Sequence, residues 1–241
     1  MKRKLRNWYT YASPVTLYPL VNRLIPWFAI PSAILFAAGL YVGFVVAPTD
    51  FQQGEVYRVL FIHVPAAWMG MLLYVLMSVY ASLGWAYNIR VSSMMASALS
   101  MTGAMFTLIS LVTGSLWGRP AWGTWWVWDA RMTSTLILLF LYIGFIVLQM
   151  SIDDPRRADR ASALVAAVGL INVPIIYMSV QWWNTLHQGA TIRIVQQSTI
   201  APPMLTALLL MVAACWLYSV AVVLARLSCI MTEREHFQVA E

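Results

Sequence analysis

The sequence predicts an all-α integral membrane protein with six transmembrane helices, and three observations carry that expectation. Of 241 residues, 61% are hydrophobic and only 10% are charged, against about 45–50% and about 25% in soluble domains; mean hydropathy is +0.72. The apolar residues gather in six runs, each close to the ~20 residues needed to cross roughly 30 Å of hydrocarbon. The cations fall unevenly between the gaps separating those runs, as they do in polytopic proteins.

The runs are Ile25 to Ala47, Val59 to Tyr87, Met94 to Leu116, Met132 to Ile152, Ala161 to Val180 and Met204 to Leu227. Each is expected to be helical, because an open segment in lipid has no other way to satisfy its backbone groups. Pro31, Pro65 and Pro174 fall inside or near the ends of these runs, where a kink is tolerated. Six crossings place Lys2, Arg3, Lys4, Arg6, Arg23, Arg90, Arg156, Arg157, Arg160, Arg226 and Arg234 on one side, and only Arg58, Arg119, Arg131 and Arg193 on the other. By the positive-inside rule the first side, with both termini, is cytoplasmic.

The expected organisation is therefore a basic cytoplasmic segment over 1–24, a six-helix domain over 25–227 and a cytoplasmic tail over 228–241. The basic start resembles the positive region of a signal peptide, but no small-residue cleavage site follows it, and it reads as an uncleaved anchor. The formal charge of +6 is thus a matter of topology rather than of nucleic-acid binding. Cys215 and Cys229 form no C-x-x-C, which excludes a thiol redox motif and covalent haem attachment by C-x-x-C-H. No P-loop is present, so the chain reads as a component without its own ATPase rather than as an enzyme.

The outward side carries the unusual residues. Between the third and fourth runs, Trp117, Trp122, Trp125, Trp126 and Trp128 fall within thirteen residues, followed by Asp129. Scattered interfacial Trp form an aromatic belt, but five in one loop are too dense for that. Mixed with Gly118, Gly123 and Pro120, they suit a platform for a large flat apolar ligand, because indole faces offer broad stacking area. Trp182 and Trp183 stand in a second outward segment, Gln181 to Pro203.

His63 and His187 are the two histidines placed outward, and His236 belongs to the charged C-terminal tail. A lone histidine is ordinarily a hydrogen-bonded structural residue. Two beside a Trp-rich loop at the membrane are candidate axial ligands of a haem iron, since histidine is a common haem ligand and ionisable groups there are expensive. Arg58, Arg119, Arg131 and Arg193 match the haem propionates or, equally, phosphate headgroups. Two roles are open to Asp129: orienting a ligating imidazole, or capping the following helix. Asp50 and Glu55 read as solvated loop charges.

Three residue patterns together resemble one family. Trp117-Gly-x-x-x-Trp122-Gly-x-Trp125-Trp126-x-Trp128-Asp129 resembles the tryptophan-rich motif of haem-handling membrane proteins of cytochrome c biogenesis. His63-Val-Pro-Ala-Ala-Trp68 and Gln181-Trp-Trp-Asn-Thr-Leu-His187-Gln-Gly189 narrow the resemblance to the compact six-span family of cytochrome c maturation protein C, the haem exporter protein C family. The resemblance implies haem b bound as cargo at the outer, periplasmic face of the bacterial inner membrane, with His63 and His187 as axial ligands. It further implies delivery to a membrane-anchored haem chaperone, cytochrome c maturation protein E. Its other implied partners are an ATP-binding cassette pair, proteins A and B, and a small single-span subunit, protein D.

Three other functions compete on the residues alone. A bis-His electron carrier across the membrane would need haems near both faces, and two usable histidines serve one haem. A permease subunit would use the Trp loop as a docking surface, a role for which Trp is suited. A transferase acting on lipid-linked substrates would want acidic groups near the aromatic site, where only Asp129 stands.

Overall fold

In the computed structural model, residues 13–183, 185, 187 and 200–239 are described. They form seven helices: α1 (Pro14–Tyr41), α2 (Leu60–Tyr87), α3 (Arg90–Trp122), α4 (Ala130–Ser151), α5 (Pro155–Gly169), α6 (Asn172–Trp182) and α7 (Pro202–Val239). A π-helical turn, Val42–Val46, continues α1, and a 3-10 turn, Glu55–Val59, leads into α2. With these turns, and with α5 and α6 forming one interrupted crossing, six helical segments are long and apolar enough to cross a membrane. The six expected spans are all present, and the protein is a multi-pass membrane protein.

The helix ends follow local chemistry. Asp129 caps α4 by accepting from the Met132 amide at 2.7 Å, and Asp154 caps α5 by accepting from the amides of Arg156 and Arg157. Both carboxylates satisfy donors that have no partner within the helix. Asn88, at φ 54°, turns the chain sharply between α2 and α3. Gly123, at φ 81°, stops α3, its amide donating to the Arg119 carbonyl at 3.0 Å, a helix end that glycine adopts without strain.

Several boundaries differ from the sequence expectation: α1 begins at Pro14 rather than Ile25, α3 at Arg90 rather than Met94, and α7 runs to Val239 rather than Leu227. The third helix runs on through Trp122, so Trp117, Gly118, Arg119 and Pro120 are helical and the connecting loop is only 123–129. The signal that ends the helix is Gly123, not Gly118 or Pro120. The fifth crossing is interrupted at Leu170 and Ile171, between α5 and α6.

Packing relies on small residues that let helices approach closely, as expected where lipid removes the hydrophobic contrast. A Cβ at Gly70 of α2 would stand 2.7 Å from the Thr107 hydroxyl of α3, and one at Gly103 only 2.1 Å from the Tyr142 hydroxyl of α4. Tyr142, fully buried, donates to the Gly70 carbonyl at 2.8 Å and so ties α4 to α2. The helices α1 and α7 lie side by side, with Ser32 donating to the Ala214 carbonyl and Ser228 to Asn22. Around Tyr74, Met77, Met94 and Phe145 the centre is closely packed. Trp27, Phe140, Leu164 and Tyr177 face outward at more than half exposure, as lipid-facing residues do.

Candidate haem site

The start of α2, the end of α3, the start of α4 and the chain beyond α6 converge at one end of the bundle. His63, one turn into α2, and His187 line a single narrow cavity together with Thr107, Gly114, Arg131 and Ile176. Its volume is about 30 Å³, enough for a water but not for a macrocycle.

His63 is held by α3. Its Nδ1 lies 3.1 Å from the Thr113 hydroxyl, which itself donates to the Ile109 carbonyl at 2.6 Å. A hydroxyl proton committed to a carbonyl leaves an acceptor, so the ring proton belongs on Nδ1 and the lone pair on Nε2. Gly114 makes room for this ring: a Cβ there would stand 3.1 Å from His63 Cε1. Trp117 meets His63 edge to face, with centroids 5.8 Å apart, and its indole N–H donates to Gln53 Oε1 at 2.8 Å. Gln53 is placed by a turn whose amides donate to Asp50 Oδ1.

His187 is held by the Trp segment. Its ring packs on Trp122 at 5.1 Å between centroids, and its Nδ1 stands 3.6 Å from Asp129 Oδ2. That distance is too long for a hydrogen bond yet short enough for electrostatic coupling. Burial holds the His187 imidazole below its usual range, the Arg131 charge adds to this, and Asp129 pulls the other way. Asp129 therefore caps α4 with Oδ1 while its Oδ2 faces His187.

The remaining predicted residues divide. Arg131 reaches the cavity, its guanidinium donating to the Ile176 carbonyl at 3.5 Å. Arg58 instead pairs with Glu55 and donates to the carbonyls of Gly43 and Ala47, closing the end of the first crossing. Arg119 donates to the Gly123 carbonyl across the turn. Arg193 lies outside the described residues, as do Gln188 and Gly189 of the third motif. Trp126 is half-buried and meets Trp128 edge to face at 5.4 Å. Trp125, Trp128, Trp182 and Trp183 are exposed around the mouth. Asp50 and Glu55 lie in the surface loop, Glu55 exposed as expected, and they also organise the turn and the Arg58 pair. Gln53, Thr113 and Gly114 were not anticipated, since isolated polar or small residues carry no spacing signature.

A fit to haem is supported by what the site leaves unmet. Among the described residues, Trp126 Nε1, Asp129 Oδ2, Thr185 Oγ1 and His187 Nδ1 are buried without a hydrogen-bond partner. Such atoms are costly and mark places that await a ligand, an ion or water. Two nitrogen donors, a half-buried guanidinium for carboxylates and flat indoles form a donor set suited to a metalloporphyrin with propionates. No cluster of three or more His, Cys, Asp or Glu able to hold a bare metal ion occurs among the described residues.

A family profile described as "heme exporter protein C" matches residues 7–240. The chain is 49% identical over 180 residues to the heme exporter protein C of Escherichia coli strain K12, covering 75% of this chain and 74% of that one. It is 46% identical over 217 residues to that of Bradyrhizobium diazoefficiens, covering 89% and 81%. With the protein of the same name from Paracoccus denitrificans it shares 34% identity over 219 residues, 90% of each chain.

Proposed function

Because the chain belongs to the haem exporter protein C family, whose members handle haem for cytochrome c maturation, we propose that His63 and His187 hold one haem b between them as cargo. The observation that carries this reading is that both rings line the same cavity, with Nδ1 of His63 against Thr113 and Nδ1 of His187 against Asp129. Each arrangement leaves Nε2 as the ligand. Bound haem supplies an iron with two axial positions and a broad apolar face. The protein supplies the two imidazoles, Trp117 and Trp122 beside them, and Arg131 for a propionate. Asp129 aligns His187, and Trp126 walls the same side. A macrocycle between the rings needs more than the present volume, so the site widens on loading.

The site faces the periplasm from the inner membrane, in keeping with the excess of cations on the opposite side. The exposed rings of Trp125, Trp128, Trp182 and Trp183 form the surface on which the haem chaperone, cytochrome c maturation protein E, receives the cargo. Aromatic residues of this kind suit an interface that must bind and release. Proteins A and B, the ATP-binding cassette pair, and the single-span protein D assemble with the chain, and the pair supplies ATP hydrolysis.

Absorption spectroscopy of detergent-purified protein tests the ligand assignment. The wild type is expected to carry a haem band that is lost in the His63→Ala/His187→Ala double variant. An unchanged band in the double variant overturns it. A wild type without haem that still co-purifies with an ATPase favours a permease subunit whose Trp loop only docks a partner.

A further inference from the structure

A second space lies next to the histidine cavity. Between α2 and α6, Met71, Leu72 and Val75 face Val173, Pro174 and Tyr177 across a groove of about 410 Å³ that exposes no polar surface. Its size falls within the roughly 300–1,000 Å³ of pockets that take small-molecule ligands, whereas the cavity between the histidines measures about 30 Å³. Met71 lines both spaces. On α6, Ile176 faces the cavity while its neighbours Val173 and Tyr177 line the groove.

We propose that this groove is a lateral entrance from the bilayer, through which a flat apolar macrocycle reaches the histidines, with Met71 as the movable partition. The inference rests on the haem reading above and adds the route to it. Methionine suits a partition because its unbranched side chain changes shape readily. The wall opposite is a separate piece of helix, since the fifth crossing breaks at Leu170 and Ile171. Both polar ties of α6 in the region run to α4: Asn172 donates to the Ser134 carbonyl at 2.8 Å, and Arg131 to the Ile176 carbonyl. No such tie to α2 occurs among the described residues, so α6 leans from α2 without breaking a hydrogen bond.

Depth fits this route. Met71 lies eight residues beyond His63, about 12 Å further along α2, which puts the groove within the hydrocarbon rather than at the headgroups. A porphyrin dissolved in the membrane enters there without first crossing into water. Arg131, half-buried in the cavity wall, then draws its carboxylates toward the histidine end.

The test measures how fast purified full-length protein in nanodiscs acquires haem from phosphatidylcholine vesicles doped with haemin. Val75→Trp and Val173→Trp fill the groove without touching the histidines. Each is expected to load about tenfold more slowly and to reach the wild-type spectrum. Val147→Trp, equally bulky on a lipid-exposed face of α4, is expected to load at the wild-type rate. Met71→Ala opens the partition and loads faster, which keeps the proposal testable where a Trp variant fails to fold.

Groove variants that load as fast as wild type, as they would were the groove merely filled by a lipid chain, overturn the route. So does Met71→Ala with an unchanged rate, or a Val147→Trp control slowed as much as the others. These results leave the haem site standing as long as the wild-type band still depends on His63 and His187. A wild type that acquires no haem overturns both.

Discussion

The two ends of the helix bundle treat buried polar groups differently. At the end where α3 begins and α7 finishes, most satisfy one another, although the buried Glu235 Oε1 has an ion pair and no hydrogen bond among the described residues. Arg234 of α7 grips both oxygens of Asp159 and donates to Gln149, Gln149 donates to Ser162 and Asp159, and Arg90 pairs with Glu235 at 2.7 Å. At the tryptophan end, Trp126, Asp129, Thr185 and His187 each keep a buried polar atom without a hydrogen bond among the described residues. A closed network fixes helices, whereas one left open holds binding capacity in reserve. The chain also turns sharply at the open end, in the short loop after Gly123, while the break at Leu170 and Ile171 falls midway through the fifth crossing.

The sharpest way to break this contrast is Asp129→Asn. Asparagine caps a helix about as well as aspartate, so stability should hold, whereas loss of the charge facing His187 should weaken haem binding by about 10–100-fold, as for other partners that orient metal ligands. Thermal unfolding and haem titration read the two effects separately. An equal loss in both would make Asp129 a cap and nothing more.

Acidity sharpens the contrast further. A protonated imidazole cannot ligate iron, so haem is fully held above the pKa of His187 and lost as pH falls through it. Among the described residues, Arg131, Asp129 and His63 are the ionisable groups around that ring, and burial with Arg131 holds its pKa below the usual range. Haem retention should therefore persist below about pH 6.5, the ordinary imidazole midpoint. Arg131→Gln should move the release midpoint upward in a pH titration, and Asp129→Asn downward.

Smaller effects belong to the mouth and to the closed end. Trp128→Ala removes an exposed ring that meets Trp126 edge to face. It should lower haem affinity by about two- to tenfold, the range for one aromatic contact, while leaving unfolding unchanged. Arg234→Gln breaks the clamp at the other end, where both partners remain partly solvated. It should cost about 1 kcal/mol of stability with no change in the haem spectrum. A spectral shift there would mean that the two ends are coupled.

Much of this was legible in the sequence, because membrane crossing leaves a long one-dimensional signature. All six crossings could be read as apolar runs, and His63, His187 and the Trp motif stood out as expensive or dense residues in such surroundings. The ends of the elements were harder. Gly118 and Pro120 look like helix breakers but are carried inside α3, because an otherwise satisfied helix tolerates them near its last turn. Thr113 and Gln53 reach their partners only through tertiary packing: fifty residues separate Thr113 from His63, and sixty-four separate Gln53 from Trp117. Cations were the least legible class, since sequence gives a side of the membrane but not a partner. Only Arg131 of the three described outward arginines reaches the cavity, while Arg58 and Arg119 are committed to backbone carbonyls.

Electron paramagnetic resonance of the ferric protein tests the central claim most directly, because it reports the axial ligands of the iron themselves. One haem held between His63 and His187 predicts a low-spin bis-imidazole signal in the wild type. That signal should disappear in His63→Ala and in His187→Ala alike and return in each when free imidazole is added. A low-spin bis-imidazole signal that survives in either single variant without added imidazole would contradict it.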